Sequence, residues 1–257
     1  MTSVPLKDYH DEEHDGRVLI QTYVGADKTD TKLEFMHYPM QFIYKIFSSG
    51  LVKGSTVMNF CIGPTIAQHM ILADFFDEIY LFDSSDANLQ EVTRWLNGDD
   101  GALDWSHSAM FACELKNERA QWKEQQEKVR RAIKQVLKFD ITTDEPLGSA
   151  ALLPVDCVFT AFYLEVSKDF HSYLRNLKKI SSLLKVGGHL VLIFTSDPSL
   201  NQHKFGVLKL SEQSVKKALQ DAGCNITLWE TYESKLNSHL LDHEYLVSAV
   251  ACKDRHA

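Results

Sequence analysis

The chain has 257 residues, of which 44% are apolar and 24% charged, enough for one α/β domain with a large hydrophobic core. Its formal net charge of −8 argues against nucleic acid as a partner, because binding to phosphates needs a basic face. No apolar run reaches the length of a membrane span, and residues 1–8 lack the apolar core of a signal peptide, so we expect neither membrane insertion nor secretion.

The five cysteines are widely separated, and none forms the C-x-x-C pair that is typical of zinc or redox sites. The eleven histidines are scattered, and those at residues 10–14 are interpreted as part of a solvated tail. We therefore predict no metal site and a reduced, cytoplasmic compartment.

The first fifth of the chain is predicted to be helical. Residues 1–16 are polar and acidic and are expected to form a flexible tail. A helix can begin at Arg17, and a firmer one is predicted from Thr31 to Ser48, with Pro39 as a kink. Residues 17–54 would then form a helical lid over an α/β core at residues 55–257, within a single domain spanning residues 1–257.

The stretch at residues 57–88 reads as a buried strand, a Gly-containing turn, a helix and a second strand that ends at Asp83. This order forms the first half of a nucleotide-type βαβ unit. The turn would let a ligand approach the backbone, the helix N-terminus would offer N–H groups, and Asp83 would meet a ribose diol. Alternatively, the turn is only structural and Asp83 caps a strand; spacing alone leaves both open.

The remaining elements alternate along the chain. Strands are predicted near residues 57, 79, 136, 156, 189, 226 and 245, and helices near residues 88–96, 104–136, 170–184 and 211–221. Only the last two strands lack a helix between them, so they should pair as antiparallel neighbours. The pattern predicts a doubly wound, mainly parallel seven-stranded sheet of Rossmann type with an antiparallel last strand. Ligands are then expected at the carboxyl ends of the strands, at residues 61–65, 83 and 140–141.

This arrangement resembles the class I S-adenosylmethionine-dependent methyltransferase fold. Several motifs are similar to those of the nicotinamide / phenylethanolamine / indolethylamine N-methyltransferase family, from about Phe47 onward, and the nicotinamide and indolethylamine branches look nearest. The matching segments are residues 63–66, 82–91, 104–105, 134–142, 146–148, 155–158 and 182–188.

The resemblance implies that S-adenosylmethionine is the cofactor and S-adenosylhomocysteine the product. Asp83 would accept both ribose hydroxyls with Asn88 beside it, and Asp140 would bind the adenine amino group. Ile141 would donate a backbone N–H to the adenine ring, and Gly63 would line the methionine end. The complete set of implied cofactor-binding positions is Gly63, Thr65, Asp83, Ser84, Asn88, Asp140, Ile141 and Thr160.

Implied acceptor positions follow from the same resemblance. Glu165 would orient the acceptor amine, and Tyr23 matches a tyrosine of the family's N-terminal lid; both are candidates for catalysis. Phe194 stands where the family has an acidic substrate-binding residue, which Asp197 could replace if the following loop folds back. Val207 stands in place of a serine in the later substrate loop.

The first cofactor motif departs from the family pattern. Where the family has Asp-x-Gly-x-Gly, residues 59–63 read NFCIG, and the side chains of Cys61 and Ile62 are expected to fill space along the cofactor's carboxypropyl tail. The lid also has fewer tyrosines, with Val18 and Thr22 at two of their places.

Two functions remain open. The first is an N-methyltransferase, expected to be monomeric, that transfers a methyl group in line to a small aromatic amine or pyridine-type acceptor, mostly by positioning. The alternative is a catalytically impaired family member that keeps the fold as a binding, regulatory or structural protein. Cofactor binding distinguishes the two.

Overall fold

A computed structural model describes residues 16–26, 30–143, 153–196, 203–204, 207–235 and 243–254. The strands are β1 Thr56–Cys61, β2 Glu78–Asp83, β3 Ile133–Lys138, β4 Val155–Ala161, β5 Leu184–Ser196, β6 His203–Lys204, β7 Val207–Leu208, β8 Cys224–Glu233 and β9 Tyr245–Lys253. Seven of them form one sheet in the order β3-β2-β1-β4-β5-β9-β8, and β6 pairs with β7 separately.

Helices cover both faces of the sheet. They are α1 Gly16–Tyr23, α2 Asp30–Lys32, α3 Tyr38–Ser48, α4 His69–Leu72, α5 Asp86–Asn97, α6 Ser106–Leu115, α7 Trp122–Ala132, α8 Phe170–Ser182 and α9 Glu212–Asp221. A π-helical segment, Leu33–His37, joins α2 to α3, and short 3-10 turns lie at Arg119–Gln121 and Leu164–Val166. The residues of α1 and α3 to α7 pack in one apolar cluster, and those of α8 and α9 pack in a second cluster.

The predicted sheet is confirmed in its topology. β1 pairs in parallel with β2 and β4, β2 with β3, and β4 with β5. β9 is antiparallel to both of its neighbours, β5 and β8, so the last strand is the one that runs against the others. The carboxyl ends of β1 to β5 therefore meet at one edge, which we call the strand-end edge. In the described residues, no helix combines the length and apolarity needed to cross a bilayer.

Two predicted boundaries were wrong. β3 begins at Ile133, whereas a helix was predicted as far as residue 136. β3 lies at the edge of the sheet, where Lys134 and Gln135 are exposed, so its polar residues continue the charged pattern of α7. The helix expected after the Gly-containing turn is only the four-residue α4, whose residues are all buried. The first backbone N–H groups of α4 donate to the carbonyls of residues 66–68, so they are not available to a ligand as was expected.

Candidate active site

Asp83 ends β2 at the strand-end edge and is 5% exposed. Its Oδ1 accepts a hydrogen bond from the backbone N–H of Ser85 at 2.7 Å. The side-chain amide of Asn88, in the first turn of α5, donates to Oδ1 and Oδ2 at 3.1 and 3.0 Å. Burial raises the pKa of Asp83 to about 6 despite these donors. The carboxylate is thus held in a fixed orientation in a poorly solvated place.

Asp140 lies next to Asp83 because β3 pairs with β2. The backbone N–H of Phe139 donates to the carbonyl of Asp83 at 3.0 Å, which joins the two strand ends. The Oδ1 of Asp140 accepts from the backbone N–H and the hydroxyl of Thr142, at 2.9 and 2.6 Å. Ile141 is buried beside it. The structure therefore brings together the two carboxylates that the sequence placed at a ligand edge.

The turn after β1 is covered by α1. Gly63 has a φ of 70°, and a Cβ placed there would lie 3.2 Å from the Cδ2 of Leu19. Thr65 is buried, and its hydroxyl donates to the Oε1 of Gln68 at 3.1 Å. A further part of α1, Gly16, packs so closely on Asn88 that a Cβ there would lie 2.0 Å from its Oδ1. The lid helix consequently closes over both the turn and the Asp83 side of the edge.

The altered first motif forms a small buried polar group. The side-chain amide of Asn59 lies 2.9 Å from the Nε2 of His69 on α4, and the thiol of Cys61 donates to the Oδ1 of Asn59 at 3.2 Å. Burial lowers the pKa of His69 to about 4 and raises that of Cys61 to about 12, so both are neutral at pH 7. The side chain of Cys61 thus lies in the core below the turn, whereas Ile62 is partly exposed.

Glu165 lies in the 3-10 turn after β4 and is 2% exposed. Its Oε1 accepts from the backbone N–H of Thr195 on β5 at 3.0 Å, which fixes the carboxyl group at the strand-end edge. Burial raises the pKa of Glu165 to about 7. This group can therefore exchange a proton near neutral pH.

Three aromatic rings lie near the end of β4. Tyr23, at the end of α1, contacts Phe35 with ring centroids 5.5 Å apart, and Phe35 contacts Phe162 at 5.1 Å. Phe162 directly follows β4 and has a φ of 57°, a strained value for a bulky residue. We call these three residues the aromatic group. Phe35 lies in the π-helical segment, a type of helix that is often found at functional sites.

The other predicted acceptor residues are not brought into the aromatic group. Phe194 is buried in the cluster of α8 and α9, with its ring 5.8 Å from that of Trp229. Asp197 lies outside the described residues, and of Val207 only the backbone, in β7, is described. Thr160 is buried within β4, and Ser84 is partly exposed beside Asp83. Sequence reasoning missed Gly16 and Phe35, which carry no motif of their own.

An adenosine group fits the chemistry of the strand-end edge. Two oriented carboxylates, that of Asp83 at the end of β2 and that of Asp140 two residues beyond β3, can accept hydrogen bonds from a ribose diol and an amino group. The hydroxyl of Tyr163 is buried nearby without a hydrogen-bond partner among the described residues, so the edge has an unused polar group. Among those residues, no three His, Cys, Asp or Glu side chains lie together in a way that could hold a metal ion.

The family model described as the NNMT/PNMT/TEMT family matches residues 4–254. The chain belongs to this family. Human nicotinamide N-methyltransferase is 35% identical over 235 residues, which cover 90% of this chain and 89% of the relative. Mouse indolethylamine N-methyltransferase is 36% identical over 224 residues, covering 86% of this chain and 85% of the relative. Macaque phenylethanolamine N-methyltransferase is 34% identical over 201 residues, covering 76% and 71%.

Solved structures support the fold. Magnesium protoporphyrin IX methyltransferase from Synechocystis, solved with bound S-adenosylhomocysteine, has a TM-score of 0.61 at 13% identity, covering 96% of this chain and 97% of that one. The N-methyltransferase NodS from Bradyrhizobium japonicum, also solved with S-adenosylhomocysteine, has a TM-score of 0.58 at 13% identity, covering 94% and 100%. The predicted family, the class I fold and the class of enzyme, S-adenosylmethionine-dependent methyltransferases, are confirmed.

Proposed function

We propose that this protein transfers a methyl group from S-adenosylmethionine to the nitrogen of a small aromatic amine or pyridine-type acceptor. The observation that carries the proposal is the position of Asp83 at the end of β2 and of Asp140 two residues beyond the neighbouring β3, with Glu165 and the aromatic group at the same edge. The relatives are named for a pyridine carboxamide and two arylethylamines as acceptors, and their similar identities to this chain, 34–36%, favour none of these acceptors.

The cofactor would be held by residues already in place. Asp83, which Asn88 holds in place, would accept hydrogen bonds from the ribose hydroxyls. Asp140 would accept a hydrogen bond from the adenine amino group. Leu19 and Gly16 on α1 would close over this ligand and exclude water. When bound, S-adenosylmethionine supplies the methyl group and the leaving sulfide.

The acceptor would lie against the aromatic group. Aromatic rings favour edge-to-face or offset contacts with a flat aromatic ligand. Tyr23 and Phe162, which both contact Phe35, offer rings for contacts of this kind. Glu165 would orient the acceptor nitrogen through its carboxylate, which a pKa of about 7 allows to take up a proton from a protonated amine. Positioning of this kind can supply about 7–11 kcal/mol of the barrier.

Cofactor binding is the first test. We expect calorimetric titration with S-adenosylhomocysteine to saturate, and Asp83→Asn to weaken binding by roughly tenfold to 150-fold, as loss of a charged hydrogen-bond acceptor would. The matched control is Asp86→Asn, which changes an exposed carboxylate three residues away that pairs with Lys138. A flat titration of the folded, unsubstituted protein would favour the alternative of a family member without cofactor binding.

Acceptor identity is the second test. Nicotinamide, tryptamine and phenylethanolamine are incubated separately with the protein and S-adenosylmethionine, and methylated product is measured by mass spectrometry. We expect methylation of at least one of them, with kcat/KM reduced in Glu165→Gln. Cofactor binding without methylation of these or related aromatic amines would limit the proposal to the cofactor site.

A further inference from the structure

Tyr163 carries a polar hydroxyl but is buried among apolar side chains. It directly follows Phe162, is 3% exposed, and belongs to the cluster of buried residues on the face of α8 and α9. Its ring lies 5.9 Å from that of Phe60 on β1. Phe60 in turn contacts Phe82 and Phe139, each with ring centroids 4.8 Å away. Because these two phenylalanines immediately precede Asp83 and Asp140 in the chain, the ring of Tyr163 belongs to an aromatic cluster next to both carboxylate-bearing residues.

The hydroxyl of Tyr163 has no hydrogen-bond partner among the described residues. Burying an unpaired hydroxyl costs free energy, so such a group calls for an explanation. Burial raises its pKa, and the negative charges of Asp83 and Asp140 raise it further. The phenol therefore stays protonated and can donate or accept one hydrogen bond.

We propose that the hydroxyl of Tyr163 is a further ligand of the adenosine half of the cofactor, paired only when that ligand is bound. This inference rests on the proposed function, and it adds a residue that neither the motifs nor the strand-end carboxylates identify. A buried hydroxyl without a partner recognises a polar edge, such as a ribose hydroxyl or a ring nitrogen, rather than the apolar part of a ligand.

The test compares two identical substitutions, Tyr163→Phe and Tyr173→Phe. Tyr173 lies on α8, and its hydroxyl is likewise buried without a partner among the described residues. The carboxylate that adds to burial in raising its pKa is that of Glu165, not that of Asp83 or Asp140. We expect Tyr163→Phe to weaken binding of S-adenosylhomocysteine about threefold to tenfold in calorimetry, whereas Tyr173→Phe leaves it unchanged. Without ligand, neither variant should lower the melting temperature, because each removes an unpaired buried hydroxyl.

The outcomes separate the two proposals. If the unsubstituted protein binds S-adenosylhomocysteine and Tyr163→Phe binds it equally well or more tightly, the hydroxyl is not a ligand and the inference is wrong, while the proposed function stands. If the unsubstituted protein does not bind, both fail. Equal weakening in Tyr163→Phe and Tyr173→Phe would also overturn the inference, because the effect would then come from the loss of any core hydroxyl.

Discussion

Asn59 and His69 illustrate how a departure from a family motif can be stabilised within the core. The donor of the pair is the Asn59 amide, so the Nε2 of His69 accepts and the ring proton lies on Nδ1, which has no partner among the described residues. The imidazole is neutral at pH 7 because burial lowers its pKa to about 4. A buried pair of this kind stabilises the fold mainly because each partner satisfies the other.

A double-mutant cycle tests this pair. Asn59→Leu and His69→Leu each leave a buried polar group unpaired, so each should cost about 1–3 kcal/mol in the free energy of unfolding. The double variant should lose less than the sum, with a coupling of about 1 kcal/mol, measured by urea unfolding. Additive losses would show that the two side chains act independently.

Glu165 predicts a pH-dependent stability. Its pKa is raised from 4.5 to about 7 in the folded state, so the folded protein holds this proton more tightly than the unfolded chain does. Keeping the buried carboxylate ionised therefore destabilises the folded protein by about 3 kcal/mol above pH 7. This destabilisation disappears as the pH falls toward 4.5. Glu165→Gln removes the charge and should stabilise the protein at pH 8 but hardly at pH 5, as measured by urea unfolding.

Glu91→Gln is the matched control for that prediction. Glu91 is equally buried, but its carboxylate is paired with Arg17 at 2.7 Å and accepts from the backbone N–H of Leu103 at 3.0 Å. Neutralising Glu91 removes the charge that attracts Arg17, so this variant should lose stability at pH 8. Stabilisation by both substitutions, or by neither, would contradict the account given for Glu165.

At the scale of elements, the π-helical segment is anchored to the far end of the sheet by one carboxylate. Glu34 is 2% exposed and accepts from the hydroxyl of Ser234 and from the backbone N–H of Lys235 at 2.8 Å. The Nε2 of His243 lies 3.0 Å from its Oε2. Burial alone would raise the pKa of Glu34, but these donors lower it below its ordinary value, so the group is ionised at pH 7. The segment that carries Phe35 is thereby held where Phe35 contacts Tyr23 and Phe162.

Glu34→Ala should loosen this connection. Three partly buried donors lose this charged acceptor, so we expect a loss of about 1.5–3 kcal/mol and faster amide hydrogen exchange at residues 33–37. Glu230→Ala is the control, since Glu230 and Lys45 link the same helical layer to β8 through an exposed ion pair, which is worth at most about 1 kcal/mol. Equal effects of the two substitutions would rule out a special role for the buried carboxylate.

The elements that the sequence predicted well are those whose apolar residues recur at one clear spacing. The buried strands β1, β2 and β4 and the amphipathic helices α5, α8 and α9 are such cases. Ser85 and Gly98 cap α5, and Ser211 caps α9. β3 was misplaced because an edge strand needs no apolar period, and the π-helical segment depends on the contacts of Glu34, which lie some 200 residues away in the chain.

At the scale of the whole molecule, the sequence predicted which side chains gather at the strand-end edge but not how α1 packs over them. Asp83, Asn88 and Asp140 occur in motifs, so their meeting at one edge follows from the parallel order of β3, β2 and β1. The packing of Gly16 on Asn88 and of Leu19 on Gly63 comes from docking of α1, which no local pattern encodes. The same holds for Tyr163, whose unpaired hydroxyl is visible only once its neighbours are in place.

Because α1 closes the site, its anchor should control how fast ligand enters and leaves. Arg17 holds α1 on α5 through Glu91 at 2.7 Å and donates to the carbonyl of Gly101 at 3.0 Å. Arg17→Ala weakens the closed position with and without ligand, so both rate constants for S-adenosylhomocysteine should rise about fivefold while Kd changes less, as stopped-flow fluorescence would measure. Arg119→Ala, which breaks an exposed ion pair with Glu114, should leave both rates unchanged. Unchanged rates in Arg17→Ala would mean that ligand reaches the strand-end edge without displacing α1.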